Sequence, residues 1–334
     1  MQFGFTAWAA FNVFVLLMLA LDLGVFHKRA HEIRIREATI WSLVWVALSL
    51  MFCLGLHFVA GPELSLQFLT GYLVEKTLAV DNIFVIVVIF GYFRVPAKYQ
   101  HRVLFWGVLG ALVMRGTFIG LGAYVLDRWH WVMYVFGVLL VLSGLKLALR
   151  RDETDEIHRN PVLRLSRRFL PLTSHYHGHH FWVREGGKLL ATPLFVVLLV
   201  VEFSDLVFAI DSIPAIFAIT QDPYIVYTSN VFAILGLRSM YFLLAGVMDR
   251  FAFLKYALSL VLVFIGTKML LEGVIHISTP VSLAVVGLLL AIGVLVSVGA
   301  SKPAGPPDAA APPVPPSPLD ESPATTWRGV RETN

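Results

Sequence analysis

Nine stretches of this chain, roughly 5–26, 40–60, 65–92, 103–126, 130–149, 190–219, 225–247, 255–275 and 280–300, stay predominantly apolar for about 20 residues or more. Wound as a helix at about 1.5 Å per residue, such a stretch matches the ~30 Å hydrocarbon thickness of a bilayer. Nothing else in the sequence limits the fold so tightly. In hydrocarbon every backbone polar group must find its partner within the protein, and a helix does that inside one segment. Hydrophobic residues make up 57% of the chain and charged residues 14%, with a mean hydropathy of +0.76. A water-soluble fold of that composition would carry more apolar surface than it could bury. The sequence therefore predicts an all-α, multi-pass membrane protein with about nine transmembrane helices. The spans 65–92 and 190–219 are the longest, which implies tilt or a break.

Lys and Arg alternate between the connecting loops. Lys28, Arg29, Arg34 and Arg36 lie on one side, followed by Arg94, Lys98 and Arg102, then by eight basic residues from Arg150 to Lys188. Arg250, Lys255 and Lys302 continue the series, whereas the opposite loops hold only Arg128. The positive-inside rule then puts the N-terminus outside and the C-terminus in the cytoplasm, across the inner (plasma) membrane. The first span lacks a small-residue cleavage site and reads as a retained helix. The single Cys53 lies within an apolar span, so disulfides play no part.

The organisation that follows is helices 1–5 over 1–149, a cytoplasmic loop over 150–189, helices 6–9 over 190–300, and a Pro/Ala-rich tail over 301–334 expected to be disordered. Within the loop, 161–172 reads either as a solvated connector or as an amphipathic helix on the membrane surface. The run "HYHGHH" (His175, His177, His179, His180) reads either as a solvated His-rich stretch or as a cytoplasmic metal or pH sensor.

The membrane part repeats internally. "EKTLAVDNIF" set over "DLVFAIDSIP" matches Glu75 with Asp205, Ala79 with Ala209, Asp81 with Asp211, and Asn82 with Ser212. Further on, Arg115 matches Arg238, Gly144 matches Gly266 and Lys146 matches Lys268. The units, about 65–149 and 190–275, hold three helices each and point opposite ways, which is a 3+3 inverted-topology repeat.

A charge at bilayer centre costs about 2.5–3.5 kcal/mol on insertion scales. Glu75, Asp81, Glu202, Asp205 and Asp211 all fall deep in spans, against Lys76, Arg115 and Arg238. Two readings stay open: ion pairs that lock helices together, or a cation pathway in which surplus carboxylates take up protons or metal. Arg115, Arg238 and Lys76 are then charge-balancing or gating groups. Glu202 and Asp205 share a helix face. Glu75 and Asp81 are six apart, as are Asp205 and Asp211, so each pair is splayed by about 120° and about 9 Å along the axis. Either the helix breaks between them or they serve two stations, and Pro214 points to a break in the second unit. Carboxylates with the Asn82 amide and the Ser212 hydroxyl form a hard oxygen set suited to Mn²⁺, Mg²⁺ or Ca²⁺.

At these residues the chain resembles the TerC/Alx family of integral membrane proteins. The stretches that carry the resemblance are "FLTGYLVEKTLAVDNIFV", "VPAKYQHRVLFWGVLGALVMRG", "NPVLRLSRRFLP" and "VVEFSDLVFAIDSIPAIFAITQDPYIVYTSNVFAILGLR". The resemblance implies a part in tellurium resistance and manganese homeostasis, with Alx-like members exporting manganese. Its acidic motif positions fall on Glu75, Asp81, Asn82, Glu202, Asp205, Asp211 and Ser212. The His-rich run and the Pro-rich tail depart from the family pattern. The expected function is export of a divalent cation, most simply Mn²⁺, in exchange for protons, with no permanently bound cofactor. The rivals are a membrane scaffold that docks partner proteins of a stress-response complex, and a proton-handling protein without a metal site. No nucleophile–base pair marks an enzyme, and the bilayer and a metal cation, not a nucleic acid, are the expected partners.

Overall fold

The computed structural model describes residues 3–26, 35–149, 170–173, 176–185, 187–245, 254–271, 274 and 277–300. The amphipathic stretch expected from 161, His175 and the tail 301–334 lie outside the described residues, apart from 170–172. Helices α1 (Phe5–Phe26), α2 (Ile35–Ala60), α3 (Pro62–Tyr92), α4 (Ala97–Arg128) and α5 (Val132–Leu149) come first. A hairpin of β1 (Trp182–Glu185) and β2 (Lys188–Ala191) leads into α6 (Pro193–Phe217), α7 (Pro223–Leu235), α8 (Leu237–Leu244), α9 (Leu254–Leu271) and α10 (Thr279–Ala300). Among the described residues five helices are long and apolar enough to cross a membrane: Arg36–Ala60, Ala97–Arg128, Val132–Leu149, Pro193–Phe217 and Thr279–Ser297. The 31-residue α3 has the length as well, but carries Glu75, Lys76 and Asp81.

Burial runs opposite to that of a soluble bundle. Leu16, Leu43, Leu54, Leu288 and Leu295 are exposed on the outer faces of α1, α2 and α10. Polar Glu75, Thr228, Ser229 and Asn230 are fully buried. An apolar outside around a polar inside suits hydrocarbon as solvent, since polar groups there must be paired within the protein. The most enclosed helix is α7, which packs against α3 and α4. Phe232 on it joins Phe11, Phe52 and Phe68 in one aromatic cluster.

Three expectations need correction. Pro214 does not break its helix between Asp205 and Asp211: α6 runs unbroken to Phe217. The proline falls in the last turn, where few ladder bonds remain to lose. The break comes instead at Gly236, which splits the expected span 225–247 into α7 and α8. There Lys76 Nζ donates to the Ala233 carbonyl at 3.2 Å, satisfying the C-terminal end of α7. A Cβ at Gly236 would lie 2.6 Å from that Nζ and 3.2 Å from Trp45 Cβ, so a larger residue would push the tip of Lys76 off the Ala233 carbonyl. Finally, residues 190–192 form strand and cap rather than the start of a helix, because Thr192 N-caps α6 and Pro193 fixes its first turn.

Helices α5 and α9 pack antiparallel with their backbones nearly touching. Gly137 meets Gly266, while seven residues further along α5 Gly144 meets Ser259, whose hydroxyl donates to the Gly144 carbonyl at 2.6 Å. Without a hydrophobic drive between helices in lipid, small residues that admit such contact hold a bundle together. Gly144→Val would bring its Cβ 2.8 Å from the Ser259 carbonyl oxygen. It should cost about 1–3 kcal/mol by overpacking. Gly287→Ala enters open space and should stay within about 0.5 kcal/mol. Thermal unfolding in detergent micelles checks the contrast.

Candidate functional site

Glu75 and Asn82 are seven apart on α3, and Asp205 and Ser212 are seven apart on α6. Seven residues return a helix almost to the same face, so each helix turns one carboxylate and one short polar group inward together. Arg115 of α4, 2% exposed, fills the space between them. Its Nη1 donates to Glu75 Oε1, to Ser212 Oγ at 3.3 Å and to Asn230 Oδ1 at 3.3 Å. Its Nε and Nη2 grip both oxygens of Asp205, at 3.3 and 3.1 Å. Asn82 Nδ2 donates to Asp205 Oδ1 at 3.3 Å, so four helices, α3, α4, α6 and α7, meet on one guanidinium. A bidentate Arg–carboxylate pair is among the strongest such contacts, and burial strengthens it.

The cluster is under-neutralised. Two carboxylates face one guanidinium, and Glu75 Oε2 and Asn230 Nδ2 are buried with no hydrogen-bond partner among the described residues. Beside it lies a cavity of about 30 Å³ lined by Asn82, Gly107, Ala111, Ser204, Asp205 and Phe208, among others. That space is large enough for water or a small ion.

The remaining expected residues are dispersed. The Glu202 carboxylate lies against Gly110, in the place a Cβ would take, one turn from Asp205. Asp211 turns away from Arg115 and accepts from Ser143 of α5, as the ~100° per residue of an unbroken helix requires. Asp81 belongs to α3, but its side chain lies outside the described residues. Lys76 serves the end of α7, and buried Arg238 on α8 takes no part in the bonds around Arg115. Among the described residues no three His, Cys, Asp or Glu side chains come together as a metal shell. Asn230 was not foreseen. The signal was there in "TSN", three consecutive polar residues within the apolar stretch 225–247.

Outside the bundle, His177 Nε2 meets Glu185 Oε1 of the hairpin at 3.1 Å, and the His179 and His180 rings stack with centroids 4.3 Å apart. The Tyr176 hydroxyl donates to the Phe93 carbonyl at 2.8 Å, tying this loop to the end of α3. Burial pushes that phenol well above its ordinary pKa.

The model of the integral membrane protein TerC family matches residues 60–304. An uncharacterized membrane protein from Myxococcus xanthus is 55% identical over 283 residues, covering 85% of this chain and 89% of that protein. A relative from Escherichia coli strain K12, named "Putative membrane-bound redox modulator Alx", is 50% identical over 289 residues, covering 84% of this chain and 90% of that one. An uncharacterized membrane protein from Rickettsia bellii is 40% identical over 279 residues, covering 84% and 92%. No solved structure matches.

The two aspartates of α6 should differ sharply in what they contribute. Asp205→Asn removes the carboxylate that Arg115 Nε and Nη2 grip, leaves Glu75 as the counter-charge, and should cost about 1.5–3 kcal/mol. Asp211→Asn keeps a hydrogen-bonding partner for Ser143 and should cost about 1 kcal/mol. Unfolding midpoints in one detergent rank the two.

Proposed function

Because this chain belongs to the TerC family of integral membrane proteins, we propose that its buried oxygen cluster carries a divalent metal cation, most simply Mn²⁺, across the inner membrane. One observation carries the reading: Glu75 and Asp205, from helices in opposite halves of the chain, converge with Ser212 and Asn230 on a single buried cation, Arg115. Buried carboxylates of this kind mark ion pathways in membrane proteins, where a merely structural role would be served more cheaply by apolar packing. The donors are hard oxygens, which favours Mn²⁺ or Mg²⁺ over softer ions. Protons moving the other way would neutralise the one carboxylate charge that Arg115 leaves unbalanced when no metal is bound. Export is the direction that the resemblance to Alx-like members implies.

Alternating access needs two units that can rock about a shared site. The seam between α5 and α9 supports the 3+3 inverted repeat in three dimensions. Matching Gly144 with Gly266 fixes a sequence offset of 122 between these helices. That offset also carries position 137 onto 259, so the Gly137–Gly266 contact becomes the Ser259–Gly144 contact. Any antiparallel helix pair exchanges contacts in this way, so the seam accords with an inverted repeat while the match of the acidic motifs carries it.

Purified protein in liposomes, with a Mn²⁺-sensitive dye and a pH dye, tests the reading. Mn²⁺ flux with an opposed proton flux is expected, and Glu75→Gln or Asp205→Asn should lower it at least ~10-fold. Proton flux without Mn²⁺ removes the metal from the proposal; no flux of either ion overturns it.

A further inference from the structure

We infer that Arg115 is a tethered stand-in for the transported cation: its Nη1 holds the cation's own position in the empty protein, and loading requires the guanidinium to swing aside into the neighbouring cavity. This rests on the proposed transport reading. Three oxygens from three helices, Glu75 Oε1 on α3, Ser212 Oγ on α6 and Asn230 Oδ1 on α7, surround that one nitrogen. Convergence of oxygens on a point is what a metal ion needs, whereas a guanidinium can spread its five donors over a wider area. Bringing Ser212 and Asn230 from 3.3 Å to the ~2.0–2.6 Å of a hard divalent cation asks each for about 1 Å of movement.

Charge points the same way. Glu75 and Asp205 together hold two formal negative charges; Arg115 balances one and leaves the other open to an incoming cation. Glu75 Oε2, buried and without a hydrogen-bond partner among the described residues, remains for a metal to use. In a low-dielectric interior two carboxylates cannot be left bare; on the empty return Arg115 neutralises one of them and the counter-transported proton the other.

The cavity marks the way out for the side chain, and at about 30 Å³ it has to widen to take a guanidinium. Ala111, Val108, Gly107 and Leu104 precede Arg115 by four, seven, eight and eleven residues, which places all of them on its face of α4. Side chains on a helix lean toward its N-terminus, so this face is where the Arg115 side chain would go. The same four residues line the cavity, and two of them are small. Asp205 and Asn82 line it as well. Asp205 has two oxygens, so one stays with the displaced guanidinium while the other joins Glu75, Ser212 and Asn230 on the metal.

The test separates binding, exchange and net transport, all measured with Mn²⁺ alone. Arg115→Gln should bind Mn²⁺ at least ~10-fold more tightly, because the internal competitor is gone. In liposomes it should retain exchange of Mn²⁺ for Mn²⁺ and lose net efflux, since the empty site can no longer return. Ala111→Val, which fills the exit and leaves every oxygen ligand in place, should weaken Mn²⁺ binding. The double variant Ala111→Val/Arg115→Gln should bind as tightly as Arg115→Gln alone. If wild type carries Mn²⁺ but Arg115→Gln binds it no better, or if the double variant stays weak, the stand-in is wrong and the transport reading survives. Should Arg115→Gln fail to fold, Ala111→Val still decides: unchanged Mn²⁺ affinity overturns the inference. A wild type that neither binds nor moves Mn²⁺ overturns the transport reading itself.

Discussion

The bundle is organised around one buried guanidinium. Arg115 meets a carboxylate from α3, a carboxylate and a hydroxyl from α6, and an amide from α7, all at a depth where an unpaired charge costs several kcal/mol. Those helices must therefore approach one another at this level, whatever their apolar faces prefer. The other close contacts fit around that requirement. Lys76, one residue beyond Glu75, turns to the end of α7 and holds the α7–α8 break at Gly236. Ser143 draws Asp211 toward α5, and α5 in turn packs its glycines against α9.

The same interaction explains why the three acids of α6 have different neighbours. Glu202 and Asp205 share a face that looks at α4, where Gly110 leaves room for one carboxylate and Arg115 binds the other. Asp211, six residues beyond Asp205 on a continuous helix, is rotated out of that face by about 120°. The arrangement supports two stations along a path more readily than one shared shell. It puts the weight of the proposal on Glu75 and Asp205.

Much of this was legible in the sequence, since hydrocarbon length and the repeated acidic motifs are strong local signals. The chain is mostly helical, with five helices among the described residues long and apolar enough to cross a membrane, and Glu75, Asn82, Asp205, Ser212 and Arg115 meet. What escaped depended on tertiary contacts. Pro214 suggested a break because proline removes a ladder bond, but its place within that ladder is set by where α6 ends. Gly236 gave no warning, as one glycine among apolar residues marks a kink only once Lys76 and Trp45 are known to press on it. Spacing by seven, which links Glu75 to Asn82 and Asp205 to Ser212, was present and informative; attention to spacing by six obscured it. The β1–β2 hairpin is short and ends in the cap of α6, so hydropathy could not tell it from the start of that helix.

The central claim is that Glu75 and Asp205 form the seat of a divalent cation. Crystals grown with Mn²⁺ and measured at the manganese absorption edge test it most directly. The account predicts an anomalous peak within ~2.0–2.6 Å of carboxylate oxygens from both residues, with the Arg115 guanidinium displaced toward Ala111 and Gly107. A peak elsewhere, with Arg115 still held between Glu75 and Asp205, would contradict it.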